Sequence, residues 1–380
     1  MKKLLFICMS LFSCSWFLSC SNDYEENVLN EDEEAVLDGN HYVSVEQAKK
    51  NAIEFINTFQ SKETRGVKKT FEVENVVTCS ATDFIGVESR SLSSSQPVFY
   101  AINFKGENGF VLASTDDRYI PVYAYVENGR FTGTQTDNDG FNMFIENVAK
   151  MFYDKLDSTL LKEKQTRTLH VISPMMTTHW GLGYPYNVYS PLHHATTMNI
   201  ALGQMCAYFC HPDSFTYQYT APDSTYYLDW SSIMAECNAN GGNLVNGAQN
   251  IAQVNDLLAY LDYDNYEETF YKSIQCLNFM RQLGYDIPYS QHAFGTNNEE
   301  DLIYGYLSTE HLIYARGYTT AIDIMSHLYS GGGAWAIDGM NQNYYHCNWG
   351  FYGNLDGYFA SSGFRNYQYQ LAFVAVKPEP

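Results

Sequence analysis

Residues Gly331 to Phe359 read GGGAWAIDGMNQNYYHCNWGFYGNLDGYF. Ala334 to Ile337 is a short apolar run that begins after three glycines and stops at Asp338-Gly339. That is the pattern of a buried strand entered from a flexible loop and left through a tight turn. Tyr345 to Trp349 is a second strand candidate ending in an Asn-Trp pair. Gly350, Gly353 and Gly357 follow among aromatics, a spacing suited to backbone reversals packed under large rings. Hairpin-like pairing of the two strands is the expectation.

These residues resemble the streptopain family of bacterial cysteine proteases. In that family a Gly-His-Ala-Trp-x-Ile-Asp-Gly strand carries the catalytic histidine, and a His-x-Asn-Trp-Gly strand carries the asparagine that orients it. Here Gly333 stands at the histidine position, ahead of matching Ala334, Trp335, Ile337, Asp338 and Gly339. His346, Asn348, Trp349 and Gly350 match in the second strand. Upstream, WGLGYPYN at Trp180 to Asn187 is similar to the family's Trp-x-Gln-x-x-Pro-Tyr-Asn segment, with Leu182 where the oxyanion-hole Gln belongs. TTMNIALGQMCAYFCHP, Thr196 to Pro212, resembles the segment Gly-Cys-x-Ala-x-Ala-x-Ala-Gln that sets the nucleophile at a helix start. Gln204, Tyr208 and Pro212 fix a register that puts Thr197 at the cysteine position.

The resemblance implies the α+β class and a papain-like cysteine-protease fold, a central helix packed on an antiparallel sheet, preceded by a small α+β prodomain. It also implies that nucleophile, base and oxyanion donor are replaced by Thr197, Gly333 and Leu182, while Asn348 and Trp349 are retained. Because the framework positions match, it predicts that the triple change Leu182→Gln, Thr197→Cys and Gly333→His would restore a reactive thiol.

The missing thiol does not depend on that register. No cysteine lies between Cys79 and Cys206, so no shift supplies one at the start of this helix. Cys206 is nine residues beyond Thr197, about 13 Å along a helix and roughly on its opposite face. No histidine lies between His327 and His346, so the strand near Gly333 has no imidazole of its own. His193 and His194, just upstream of Thr197, read as a solvated loop pair, with rescue of Thr197 as the alternative.

A cysteine protease needs its thiol at a helix N-terminus beside an imidazole, where dipole and cation lower the thiol pKa to about 3.5–7.5. Threonine becomes a nucleophile only with an adjacent base or its own chain amine, and Thr197 is internal. Thr196-Thr197 reads more simply as an N-cap. Loss of a triad nucleophile or base costs about 10⁶ in turnover. From a typical turnover near 10 s⁻¹ that leaves roughly one event per day, and an absent oxyanion donor removes about 3 kcal/mol more of transition-state stabilisation.

At 380 residues two or three domains are expected. Residues 1–20 read as a secretory signal: Lys2-Lys3, a mostly apolar run from Leu4 to Leu18, then Phe17-Leu18-Ser19-Cys20. The end resembles a bacterial lipobox, which implies lipid on Cys20. Cys14 after Leu11-Phe12-Ser13 and a plain signal peptide are the alternatives. Residues 21–40 carry eight acids and no Lys or Arg, an acidic, self-repelling tether. No other segment has 18 continuous apolar residues, so lipid is the only membrane attachment expected. The expected location is exported and bacterial, lipid-anchored in the cell envelope, at the outer membrane. A net charge of −21 argues against nucleic acid as a partner. Of nine cysteines, Cys8, Cys14 and Cys20 fall in the signal. The other six lack CxxC spacing, so neither a disulfide framework nor a metal site is expected, and no cofactor.

Residues 41–157 form an expected α+β domain. Ser44 and Gln47 fit a capping box ahead of the stripe Val45, Ala48, Ala52, Phe55, Ile56 and Phe59. Strands are expected at Phe71–Val77, Val98–Phe104, Phe110–Ser114 and Val122–Val126, a turn network at Asp116-Asp117-Arg118, and a helix at Phe141–Leu156. GFVLASTDDRYIPVYAY resembles the propeptide-like inhibitor domain that precedes streptopain-type catalytic domains. Residues 158–170 read as a linker, with KEKQTRT at Lys162 to Thr168 exposed, and 171–380 as the degenerate peptidase domain.

The leading expectation is a pseudoprotease that binds a protein or peptide ligand in its cleft. The alternatives are a divergent cysteine-type endopeptidase with an unrecognised nucleophile, and an inhibitor acting in trans through the N-terminal domain. The 32 tyrosines read first as packing and rim, with a glycan-stacking surface as the alternative.

Overall fold

The computed structural model describes residues 41–60, 70–85, 97–153, 170–189, 195–217, 224–262, 269–318, 332–365 and 371–380. The signal and tether, with Cys20, the KEKQTRT segment and His193, His194 and His327 lie outside them.

The first helix, α1 (Val45–Gln60), starts where expected: the Gln47 amide donates to Ser44 Oγ at 3.3 Å. Four strands follow, β1 (Val73–Ser80), β2 (Pro97–Phe104), β3 (Phe110–Ser114) and β4 (Val122–Val126), in antiparallel succession. Asp116 turns the chain between β3 and β4, accepting from the Arg118 amide at 2.9 Å while the Arg118 guanidinium closes on its carboxylate. Helix α2 (Asp139–Tyr153) covers the face of β2 and β3 that carries Phe99, Ala101, Phe110 and Leu112. Helix α1 covers the face with Tyr100, Ile102 and Val111. The period-two alternation of a strand divides one strand's residues between two cores in this way.

After the short β5 (Val171–Ile172), the chain forms α3 (Thr197–Phe209), the hairpin β6 (Ser214–Tyr217) and β7 (Ser224–Tyr227), and the helices α4 (Trp230–Ala239), α5 (Ala248–Leu261) and α6 (Thr269–Gln282). Two-residue strands β8 (Tyr285–Asp286) and β9 (His292–Ala293) and helix α7 (Glu299–Ser308) lead into β10 (Leu312–Tyr318). Then come β11 (Gly332–Asn341), β12 (Tyr344–Asn348), β13 (Gly357–Ala360) and β14 (Ala372–Pro378). Among the described residues these make one large sheet in the order β1-β2-β3-β4-β13-β12-β11-β10-β14-β8.

Its central joint is β4 on β13, with Val126 opposite Gly357 and Ala124 opposite Phe359. Residues before 153 and after 170 therefore share a sheet. They share its cores as well: Phe141, Phe144 and Val148 of α2 pack with Trp335, Trp349, Phe359 and Phe364. Helix α3 lies on the other face, against Ala334 and Ala336 of β11 and Leu312 and Tyr314 of β10, with α5 and α6 behind it. This is the expected central helix on an antiparallel sheet.

The hairpin of β11 and β12 differs from expectation in one respect. Asp338 and Gly339 do not turn the chain but sit inside β11, where the register shifts between Ile337 and Gly339. A bulge absorbs the Asp-Gly pair, and the reversal comes at Gln342, whose φ is 59°. Cys210 caps α3 in the left-handed conformation and is exposed, whereas Cys206 is buried.

Candidate functional site

The start of α3 is fixed by Thr196 rather than Thr197. Thr196 is the N-cap: its hydroxyl accepts from the Asn199 amide at 3.2 Å and its own amide donates to Asn199 Oδ1 at 2.9 Å. Satisfying two otherwise orphaned amides in this reciprocal way is what a capping box does. Thr197 is thereby the first helical residue, and its Oγ1 accepts from the Ala334 amide at 3.1 Å. A backbone N–H of β11 thus holds the hydroxyl that stands at the nucleophile position. Among the described residues no imidazole bonds it.

Gly333 immediately precedes that amide but faces the other way. Strand alternation sends Ala334 and Ala336 towards α3 and Trp335 and Ile337 towards α2. A β-carbon on Gly333 would follow the second set, lying 2.9 Å from the Gly140 nitrogen and 3.2 Å from the Gly140 Cα. The N-terminus of α2 therefore occupies the space of a side chain at this position. Gly140 itself fits under the indoles, since its own β-carbon would meet the Trp349 ring at 2.7 Å. Thr197 and Gly333 are neighbours along the backbone, but a side chain at 333 does not point at Thr197.

Leu182 lies in the loop before α3. Its carbonyl accepts from the Ala195 amide at 3.0 Å, and its half-buried side chain packs against the α3 core. Gln204, in the middle of α3, ties the two motif segments together. Its Oε1 accepts from the Trp180 amide at 2.9 Å, and its Nε2 donates to Asn348 Oδ1 at 3.0 Å. Asn348 is buried and fully engaged: Nδ2 donates to the Thr178 carbonyl at 2.8 Å, and Oδ1 also accepts from the Gly350 amide at 3.1 Å. Trp349 is buried against Trp335 with ring centroids 4.9 Å apart. Its amide donates to Asp356 Oδ1 at 2.9 Å.

The thiols are far from nucleophilic. Burial pushes Cys79 and Cys206 up to about 12 and raises Cys237, Cys347 and the exposed Cys210 as well. A thiolate nucleophile needs the opposite shift.

Two imidazole–carboxylate pairs lie beside this region that the sequence reading did not assemble. His346 Nδ1 is 2.6 Å from Asp338 Oδ1, and its Nε2 is 3.9 Å from Glu127 Oε2, at the end of β4. Burial opposes charge on His346, but Asp338 and Glu127 outweigh it and hold the ring's pKa well above its ordinary value. His179 Nδ1 lies 3.2 Å from Asp356 Oδ2, and that hydrogen bond raises the histidine's pKa. A signal for the first pair was present, since Asp338 and His346 are both motif residues. Glu127 is more than 200 residues away in sequence and carried none. Among the described residues neither ring bonds a hydroxyl or thiol, and no cluster of three or more His, Cys, Asp or Glu side chains is placed to hold a metal ion.

Comparison with known proteins agrees with this architecture. The family model for Peptidase C10 matches residues 180–359, and that for the Spi protease inhibitor matches residues 40–152. Streptopains of Streptococcus pyogenes serotype M1 and of serotype M28 strain MGAS6180 are each 24% identical over 347 residues, covering 76% of this chain and 82% of theirs. Among solved structures, a fragment of Prevotella intermedia prointerpain A with a cysteine-to-alanine mutation aligns with a TM-score of 0.54 at 18% identity. That match spans 74% of this chain and 96% of the fragment, a likeness of fold. The paired tryptophans, the Gln204–Asn348 tie and the inhibitor-type region before them have one common source: the chain belongs to the peptidase C10, or streptopain, family of papain-like proteases with an N-terminal prodomain.

Proposed function

We propose that this family member has exchanged hydrolysis for binding and acts as a pseudoprotease on a protein or peptide ligand. The observation that carries this reading is the state of Thr197: its hydroxyl is an acceptor for the Ala334 amide, with no base bonded to it among the described residues. Among the described residues nothing is placed to take that hydroxyl's proton, and nucleophilic threonine requires such a group. Support comes from Gly333, whose side-chain space the backbone of Gly140 fills, and from Leu182, which offers no donor to an oxyanion. The raised thiols disfavour a relocated cysteine nucleophile. The packing of α2 under Trp335 and Trp349 of its own chain favours a prodomain that acts in cis over an inhibitor in trans.

Membership of this family is consistent with export, and the signal-like start supports a lipid anchor at Cys20 in the bacterial envelope, at the outer membrane. Metabolic labelling with a fatty acid tests the anchor: label is expected on the wild type and lost in Cys20→Ala, and persisting label would remove the assignment. For the central reading, the folded chain is incubated with casein and with mixed peptides and analysed by mass spectrometry. No cleavage above background is expected. Cleavage that survives repurification and disappears in Thr197→Val or in any single Cys→Ala variant would overturn it.

A further inference from the structure

We propose that the loop beside Leu182, with the turn at Tyr352 bonded to it, docks a Lys- or Arg-bearing segment of a protein partner, whose cations lie against exposed tyrosine rings. Tyr184 keeps 69% of its surface in solvent, Tyr189 48% and Tyr352 39%, and Val188 and Val245 are exposed as well. Apolar residues exposed singly need no explanation, whereas a group of them marks a candidate interaction surface.

The surface is held in place. The Tyr352 amide donates to the Trp180 carbonyl at 3.1 Å, and its hydroxyl donates to the Tyr184 carbonyl at 3.2 Å. A β-carbon on Gly181 would run into three consecutive carbons of the Tyr352 ring, and one on Gly183 would lie 2.7 Å from its hydroxyl. The ring therefore rests on the backbone of these two glycines. Tyr352 adopts a φ of 60° to lie there, a left-handed conformation that costs a residue with a side chain and is kept where the surroundings or function demand it. Behind the loop, buried Asn255 accepts from the Val188 amide at 2.8 Å and donates to the Pro185 carbonyl at 2.7 Å. The Leu244 amide donates to the Tyr186 hydroxyl at 2.9 Å, which ties Val245 to the same loop. Groups already held in place spend less of the binding energy on ordering.

Charge selects the partner. Between Arg167 and Lys272 the sequence has nine acids and no Lys or Arg, and between Arg316 and Arg365 it again has no Lys or Arg. Every residue of the surface belongs to one of these two stretches. Glu236, beside Val245, is held by neutral donors, the amides of Val245, Asn246 and Gly247, each at 2.9 Å. Asp256, one position after Asn255, is half-buried and makes no ion pair among the described residues. His179, whose ring adjoins Gly353, faces the Asp356 carboxylate. A tyrosine face attracts a cation through its quadrupole, and the methylene stem of Lys or Arg covers apolar neighbours such as Val188. A field of one sign favours a partner of the other. That the ligand is a peptide segment rests on the binding reading just given, and the surface and its cationic preference are the new elements.

The test titrates the folded full chain by calorimetry with three acetylated, amidated heptapeptides. They are Gly-Lys-Gly-Lys-Gly-Lys-Gly, the same peptide with Gln at each Lys, and the same peptide with trimethyl-lysine at each Lys. The Lys form should bind roughly tenfold or more tighter than the Gln form, as two or three cation–π contacts allow. A chain with a net charge of −21 attracts any cationic peptide, so two further comparisons isolate the rings. Trimethyl-lysine keeps the charge but donates no hydrogen bond, so it should bind at least as tightly as Lys to an aromatic face and more weakly to a carboxylate. Tyr184→Ala should cut the Lys preference about threefold or more while Tyr184→Phe retains it. Tyr352→Gly, which puts at φ 60° the residue that suits it, should cut the preference as far. Tyr184 is largely exposed, so its variants keep the fold even if Tyr352→Gly does not, and circular dichroism checks both. Equal affinity for the Lys and Gln forms, no binding of either, a weaker trimethyl-lysine form, or a preference that survives Tyr184→Ala would overturn the proposal. So would tighter binding of a neutral oligosaccharide, which would assign the rings to glycan. Mass spectrometry of the same samples separates the two readings: cleavage of a probe would overturn the pseudoprotease reading and leave a measured Lys preference standing, whereas intact probes with no Lys preference would overturn the present proposal alone.

Discussion

The backbone of Gly140 at the start of α2 fills the space a β-carbon on Gly333 of β11 would take, while a β-carbon on Gly140 would meet the Trp349 ring. Gly140→Ala would drive a methyl to within 2.7 Å of the Trp349 ring, and overpacking of this kind costs about 1–3 kcal/mol. The expected result is a urea midpoint lowered by that amount with the slope unchanged. For the same reason the triple change Leu182→Gln, Thr197→Cys and Gly333→His is expected to stay inactive. Its histidine would point at α2 rather than at position 197, which reverses the expectation from motif matching. Peptide hydrolysis and thiol labelling of the folded triple variant are the readouts.

Among the six described cysteines Cys210 is the exposed one. A folded chain from which residues 1–20 have been removed should therefore react with a disulfide reagent at one thiol, and Cys210→Ser should remove that reaction. Burial raises the Cys210 thiol, so its rate should be no faster than that of a free peptide thiol and should fall steeply below pH 8. A rate that stays high at pH 6 would signal an activated thiolate.

Gln204→Leu should leave the Trp180 amide and Asn348 without their partner inside the protein. An unsatisfied buried polar group costs about 1–3 kcal/mol, so a loss on the order of 2–4 kcal/mol is expected for the two. Chemical denaturation measures it. A smaller loss would show that Asn348 finds another partner.

His346 sets an alkaline limit. Its folded pKa lies well above its ordinary value, so its stabilising contribution is complete below about pH 6.5 and is lost as pH rises through the raised folded value. The anions facing it are Asp338 and Glu127, with His179 opposing. Glu127→Gln removes one anion and should shift the alkaline decline in Tm to lower pH.

Glu299, at the start of α7, is buried and pushed up to about 7, chiefly by that burial and against the hydrogen bond from Tyr345 at 2.6 Å. A carboxyl raised in the fold stabilises below its unfolded value, about 4.3, and loses that contribution as pH climbs through about 7. Between pH 5 and pH 8 the wild type should lose more Tm than Glu299→Gln. Equal slopes would remove Glu299 as the cause.

Apolar runs located the N-terminal strands well because β2, β3 and β4 are buried on both faces and read as short continuous apolar stretches. β3 and β4 fall on their expected bounds, and α2 begins two residues earlier than expected. β1 begins at Val73 rather than Phe71 and runs on to Ser80, because pairing with β2 continues as far as Pro97. Asp338-Gly339 was misleading since its composition suits a turn, while pairing to β12 made it a bulge. At the site, Thr197, Gln204 and Asn348 were legible as motif positions. The direction of the Gly333 side-chain space was not, because it depends on Gly140, nearly 200 residues earlier.

The junction of β4 with β13 bears on what proteolysis can accomplish. A protease cutting between residues 153 and 170 would sever the chain without parting the pieces. They would still be joined by a strand ladder, by Phe141 and Phe144 among the tryptophans, and by α1 rings on Tyr344 and Tyr358. Separation would strip β13 to a bare, apolar edge prone to self-association. Nicking should therefore yield a stable heterodimer of two fragments that co-elute as one particle, and in this chain cleavage and release become distinct events.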